Sequence, residues 1–513
     1  MAINPAQPLT LAALEDHLWK AADLFRNKVS NQKDFILALL FFKRASDMFE
    51  EEVARLAAEL EEGLGAEEAR AYARQPRLHA LVVPEGASWA EARATDDAFL
   101  GEAFNGALRA VATANPNQLA GVFERIDFND RQTLPPEDLA GIVDHFQALG
   151  PLTAERVPPD MLGRAYEWLI AKFAAQSGKA GGEFYTPAEV GQLLANLLDP
   201  QEGERANDPT CGSGGLLLAL RDRAAAEGRN AAAITLTGQE LNPETWALAR
   251  MNMLLHGAGD AARIERGGTL LAPGFVDDHG RLETFDLVIA NPPFSPKNWG
   301  HERLKKSGDP FGRIHHLPPK SHGELAFVQH MVATLADDGR MAVVLPNGVF
   351  FRAGAELAVR TELVDQDLIE AIIQLPKDMF FGAGIPACVL VCNRAKSPDR
   401  QGRMLMVDAS ALFERVDTKN RLTSAGIARI AETFRVGHEE EGFSRWVSRS
   451  EAIEGGLNLT VRRFVRGIAT SDGRPTDLAE AIAALRAAQA RREAAEAQLS
   501  LAIGELEASL ERA

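Results

Sequence analysis

Cysteine, long apolar runs and positive charge are all in short supply in this 513-residue chain. Its three cysteines, Cys211, Cys388 and Cys392, are too few and too oddly numbered for a disulfide framework, which points to a reducing, cytoplasmic setting. No cysteine and histidine spacing suggests a metal, so none is expected. The longest apolar run, residues 36–42, is flanked by Asp34, Lys43 and Arg44. It falls far short of the roughly 20 residues a spanning helix needs, and no transmembrane segment is expected. The first twenty residues carry Pro5, Pro8, Glu15, Asp16 and His17 without a basic stretch leading into an apolar one, so no secretory leader is expected either. With 55 basic against 72 acidic residues the formal charge is −17, which opposes approach to nucleic acid or an anionic membrane. Work on DNA would then require a local basic surface or a basic partner.

What is present is ample material for buried cores, 46% hydrophobic residues, in a chain long enough for about three domains at roughly 150 residues each. From residue 9 to about 174 apolar residues recur at helical spacing, as in Leu14, Leu18, Ala21, Leu24 and Phe25, then Phe35, Ile36, Leu39, Leu40 and Phe42. A helical front domain over 1–175 follows from that pattern. Between about 178 and 410 short β-branched runs alternate with helical segments, the signature of a parallel sheet with helices on both faces. Strands are expected over 234–238, 285–290, 341–345, 368–375 and 387–392. Residues 176–470 are therefore read as an α/β domain. The tail over 471–513 opens with Pro475, Thr476 and Asp477 and predicts one long helix. Leu478, Ile482 and Leu485, then Leu499, Ile503, Leu506 and Leu510, make two short coiled-coil half-seams for a partner, or a face packed back on its own domain.

Three motifs carry chemistry. In Asp208-Pro-Thr-Cys-Gly-Ser-Gly-Gly215, glycines at 212, 214 and 215 open a helix and let a nucleotide-like ligand approach bare backbone. A P-loop is excluded because no Gly-Lys-Ser/Thr follows; a glycine-rich turn without ligand uses the same residues. Glu240 ends the next strand, where a carboxylate can take both hydroxyls of a ribose or cap the following helix. The strand 285–290 then runs into Asn291-Pro-Pro-Phe294. An amine conjugated to a purine ring is a poor nucleophile. The Asn291 amide oxygen and the Pro292 carbonyl would accept its two hydrogens and free the lone pair for a methyl donor. Pro292 and Pro293 have no competing N–H and stiffen the loop. Phe294 would stack on a base drawn out of its duplex, or serve as core.

Asp-Pro-Thr-Cys-Gly-Ser-Gly-Gly followed by Asn-Pro-Pro-Phe resembles the amino-methyltransferases that use S-adenosylmethionine. Gly182-Glu-Phe-Tyr-Thr-Pro187 lies upstream of the glycine loop, as the cofactor motif does in gamma-type adenine methyltransferases. With the helical front domain and tail, the whole is similar to the modification subunit of type I restriction-modification systems. The resemblance implies a Rossmann-like methyltransferase domain in which Glu183, Phe184, Tyr185, Thr186, Pro187 and Ala188, Asp208, and Gly212, Ser213, Gly214 and Gly215 hold the cofactor. It gives the ribose to Glu240 and the adenine to Asn291, Pro292, Pro293 and Phe294. Gly268 stands where the family often has an aspartate that contacts the cofactor's adenine. The implied partners are DNA, a specificity subunit bound by two modification subunits, and a restriction subunit.

Residues 295–322 carry Lys297, Arg303, Lys305, Lys306, Arg313 and Lys320 against Glu302 and Asp309. This segment reads as a loop that clamps DNA phosphates, with Trp299, His315 and His316 available for stacking, or as a solvated disordered loop. Cys388 and Cys392 share a strand face and read as core, and Cys211 as packing. The site alone also suits a self-sufficient DNA enzyme, a protein or RNA amino-methyltransferase, or an inactive scaffold.

Overall fold

A computed structural model describes residues 9–465 except 27, 30–31, 155, 158–160, 163, 166–167, 170–171, 174–185, 260, 297, 381–385 and 417–418. The chain divides into two compact units, 1–465 and 466–513. The second, with the helix expected over 476–513, lies outside the described residues, as do Glu183, Phe184 and Tyr185. No helix among the described residues is long and apolar enough to cross a membrane.

The front of the chain is helical as its periodicity predicts. Thr10 caps helix Leu11–Phe25 by accepting a hydrogen bond from Ala13 N. Helix Gln32–Leu64 is apolar all round in its first part, where residues 35–42 are buried on every side, and that makes it the central rod of the domain. Helices Leu100–Ala114 and Pro136–Gln147 close around it. Edge-to-face rings fill the centre: Phe42 on Phe104 at 5.6 Å and Phe35 on Phe128 at 5.2 Å. Leu24 departs from the expected stripe and is 37% exposed.

The second part is a nine-stranded sheet, with β1 Arg205–Asp208, β2 Thr235–Glu240, β3 Ala262–Arg266, β4 Phe285–Ala290, β5 Leu335–Pro346, β6 Ile369–Gln374, β7 Ala387–Asn393 and β8 Arg403–Asp408. A separate two-stranded ribbon pairs β9 Phe413–Val416 with β10 Lys419–Leu422, and β11 Ser444–Ser448 completes the large sheet. Its order is β11-β8-β6-β7-β5-β4-β1-β2-β3. The sheet is not all parallel as expected: β7 runs antiparallel to β5 and β6, and β11 to β8. The connection from β6 to β7 carries no helix among its described residues, so the chain turns back instead of crossing over.

Alternation along each strand feeds two cores. Leu287 and Ile289 face helices Ala188–Leu198, Gly215–Ala226 and Pro243–Leu255 on one side. Val288 and Ala290, with Cys388 and Cys392, face helices Glu324–Ala333 and Ala355–Asp365 on the other. Both cysteines are core, as expected, and burial pushes the Cys392 thiol up to about 12. Adjacent β1 and β4 continue in opposite directions, β1 to β2 and β4 to β5, so a crevice opens at their carboxyl ends. The glycine loop and Asn291 both emerge there.

Candidate active site

The glycine loop leaves β1 at Asp208 and enters helix Gly215–Ala226. Gly212 and Gly214 take left-handed backbone, φ +54° and +83°, where a side chain is strained. A Cβ on Gly214 would also overlap Met253 Cε. Cys211 N donates to Gln239 O at 3.0 Å, and Gly212 N to Glu240 Oε2 at 3.0 Å. The second Glu240 oxygen accepts Asn242 N at 2.7 Å. Two motifs far apart in sequence thus meet through one carboxylate. Cys211 is buried against Gly238, and burial pushes its thiol up, which suits packing and not nucleophilic work.

Asp208 is buried and braces the turn by accepting Thr210 N at 2.9 Å. Burial, with the Glu240 carboxylate nearby, raises it to about 8. Beneath the loop, fully buried Asn252 donates from Nδ2 to Ser213 O at 3.0 Å. Sequence reasoning missed Asn252, a polar residue within an apolar helix, which was its one available signal. Gln239 was missed too: its amide accepts Gly274 N and donates to Ala272 O, fixing the segment after β3. Gly268 lies in that segment, where a Cβ would meet Leu241 Cδ1 at 3.5 Å.

Asn291 follows β4 and is 7% exposed. Its Nδ2 donates to Thr186 Oγ1 at 2.9 Å, while its Oδ1 is buried with no hydrogen-bond partner among the described residues. Thr186 and Pro187 lead into the helix that begins at Ala188, so the described end of the upstream motif touches the Asn291 loop. Pro292 is buried, Pro293 and Phe294 partly so. The Phe294 ring lies 5.8 Å from that of Phe380. Ser295 takes φ +49°, and its N–H donates to Glu324 Oε1 at 2.8 Å.

Among the described residues, the segment after the Asn291 loop is folded and not a solvated disordered loop, with helix His301–Ser307 inside it; Lys297 lies outside the described residues. Trp299 is buried and donates to Lys320 O at 3.0 Å, so it offers no stacking face. Arg313 is buried too: it pairs with Asp309 at 2.7 Å and donates to the carbonyls of Thr269 and Leu270. A planar donor fork that satisfies two carbonyls and a carboxylate anchors the loop and does not reach DNA. His315 and His316 lie beside Glu362, at 2.6 and 3.6 Å. Arg303, Lys305, Lys306 and Lys320 remain exposed, the last paired with Glu302. Among the described residues no group of histidine, cysteine and carboxylate side chains has metal-binding geometry.

The family model described as N-6 DNA Methylase matches residues 157–473, and the HsdM N-terminal domain matches 14–146. The type I restriction enzyme MjaVIII methylase subunit of Methanocaldococcus jannaschii is 32% identical over 465 residues, 88% of this chain and 77% of that protein. The MjaIX methylase subunit of the same organism is 27% identical over 90% of this chain and 86% of its own length. The crystal structure of a type I restriction-modification methyltransferase subunit from Streptococcus thermophilus superposes with a TM-score of 0.78 at 29% identity, covering 89% of this chain and all of that one. The chain thus belongs to the N-6 DNA methylases, as an adenine-specific methylase subunit of the type I restriction enzymes.

Proposed function

We propose that the glycine loop and Glu240 hold S-adenosylmethionine, that Asn291 to Phe294 receive an adenine flipped out of DNA, and that a separate specificity subunit selects the sequence. One observation carries this reading. The Asn291 amide is turned by Thr186 so that its nitrogen is engaged and its buried oxygen has no partner among the described residues. A buried acceptor left open costs about 1–3 kcal/mol, which a binding site retains for its ligand.

The cofactor fits the residues on the opposite side of the crevice. Left-handed Gly212 and Gly214 supply bare backbone, and Glu240 supplies a carboxylate within reach of the same loop. Gly212 to Gly215 and Thr186 to Ala188, with Glu183 to Tyr185 just before them, would hold its methionine end, Glu240 its ribose, and Asp208 would brace the turn from beneath. Bound there, S-adenosylmethionine supplies an electrophilic methyl group. Asn291 Oδ1 accepts one hydrogen of the adenine amine and the Pro292 carbonyl the other, which turns the nitrogen lone pair out of conjugation with the ring. Phe294 covers the face of the base and excludes water.

The acidic balance of −17 supports division of labour. A chain so charged gains little from the DNA backbone by itself, so a basic specificity subunit, bound by two copies of this chain, would supply the search and the readout, with a restriction subunit joining. Residues 1–175 and 471–513 would serve as docking parts, and residues 176–470 as the catalytic domain. The exposed cations Arg303, Lys305 and Lys306 then face phosphates near the flipped base. Methylation-aware sequencing of DNA from cells with this chain, with and without its partner subunit, tests the reading. Methyladenine at one split motif only with the partner present is expected; motif-specific methylation by the chain alone would make it self-sufficient, and none with the complex assembled would contradict it.

A further inference from the structure

The geometry points to Glu324 as a positioning residue for the base loop, an inference that rests on the reading of Asn291 to Phe294 as the adenine site. Glu324 is the first residue of helix Glu324–Ala333 and is fully buried, at 0% exposure. Its Oε1 accepts the N–H of Ser295, the residue directly after Phe294, at 2.8 Å. Ser295 is held at φ +49°, a conformation that costs a residue with a Cβ roughly 1–2 kcal/mol and persists only where its surroundings enforce it. The glutamate thus sets the direction in which the chain leaves Phe294.

It also closes a ring. Residues 295–323 leave the crevice at Ser295 and return at Gly323, against whose α-carbon the Trp299 indole is packed so closely that a Cβ would lie 2.7 Å from the ring. Trp299 is fixed by its bond to Lys320 O, and Arg313 pins the middle of the excursion to Thr269 and Leu270. The Glu324 bond joins the two ends, so the base loop is tied to the contacts that Trp299 and Arg313 make. Thr269 Oγ1 in turn donates to Pro209 O at 2.5 Å, which ties the same framework to the glycine loop. Both substrates are thereby referred to one scaffold.

A place in the first turn of a helix suits a carboxylate, but does not account for the complete burial of this one. Among the described residues its second oxygen has no hydrogen-bond partner and no cation pairs with it; the neighbouring Glu356 carboxylate holds Arg352 at 2.9 Å. A buried carboxylate met by one N–H gains less from folding than a neutral isostere would. Groups that lower stability while fixing a reactive loop belong to function.

The test uses the assembled enzyme with DNA carrying 2-aminopurine at the target adenine, alongside kcat, KM for DNA and the dissociation constant of S-adenosylmethionine. Glu324→Ala is expected to lower kcat about tenfold or more and to weaken the 2-aminopurine signal of a captured base, with cofactor affinity within about twofold of wild type. Glu324→Gln keeps an oxygen for Ser295 N–H and should recover most of the rate while melting no lower than wild type. Ser295→Gly relaxes the demand on backbone, so in the Glu324→Ala background it should restore several-fold of the lost rate. A Glu324→Ala enzyme with wild-type kcat and base capture overturns the inference, as does loss of rate, cofactor binding and thermal stability together with no recovery from Ser295→Gly. An inactive wild-type assembly would instead contradict the adenine-site reading beneath it.

Discussion

The glycine loop makes a quantitative prediction at Gly214. Replacement by alanine meets two separate penalties. The residue sits at φ +83°, which costs a side chain roughly 1–2 kcal/mol. The new methyl group also overlaps Met253 Cε, and overpacking of this kind costs about 1–3 kcal/mol, toward the lower end because the methionine tip can swing aside. Together these come to about 2–4 kcal/mol against the present loop. If the loop keeps its shape, the loss appears in the melting temperature; if it relaxes, the loss appears as weaker cofactor binding, about tenfold for each 1.4 kcal/mol. Calorimetric titration with S-adenosylmethionine and thermal melts of Gly214→Ala read both. Met253→Ala removes the overlap and leaves the backbone term, so, measured against Met253→Ala alone to discount the cavity that this buried side chain leaves, Gly214→Ala should cost less but still something. Wild-type affinity and melting in Gly214→Ala would refute the reasoning, and a double variant equal to Met253→Ala alone would refute its backbone half.

Further predictions concern burial, charge and assembly. His17 and His145 stack with centroids 3.7 Å apart, and each Nε2 bonds the other's backbone carbonyl, at 2.8 and 2.9 Å. Burial, then the neighbouring His145, lowers His17 from 6.5 to about 4. Its stabilisation is therefore present above pH 6.5 and lost as pH falls through 4; His17→Gln should flatten the melting profile across that window, and an unchanged profile counts against the pair. For Asp208, raised from 3.8 to about 8, the sign is opposite: stability is greatest below 3.8 and lost as pH rises through 8. Asp208→Asn should accordingly melt progressively higher than wild type from pH 4 to 8, whereas a constant difference would show that Asp208 does not titrate in this way. Removal of residues 476–513 should reduce co-purification with the specificity subunit and leave cofactor affinity unchanged; undiminished assembly would remove the tail from the docking surface.

Local sequence carried the elements with strong periodicity. The helical front and β4 are legible as regular runs of apolar residues, and the sequence put Asn291 in the loop that follows β4. The sequence put Glu240 at the end of the strand that follows the glycine loop, but did not show the bond its carboxylate accepts from Gly212 N, which depends on how the two loops pack. The direction of β7 was not legible, since its alternation is the same in either sense and the deciding factor is the connection from β6. Trp299 and Arg313 look like DNA contacts in a polar segment. Their burial depends on partners that the sequence leaves unmarked, the Gly323 α-carbon and the carbonyls of Thr269 and Leu270. Glu324 was invisible for the same reason: its significance is a bond to Ser295, 29 residues earlier.

The open Asn291 oxygen is proposed to accept a hydrogen bond from the adenine amine. The most direct test is single-turnover transfer of labelled methyl from S-adenosylmethionine to DNA by the assembled complex, comparing wild type with Asn291→Ala and measuring cofactor affinity on the same preparations. A rate lowered by about 10²–10³-fold with cofactor affinity unchanged is expected. Transfer by Asn291→Ala at the wild-type rate would contradict the proposal.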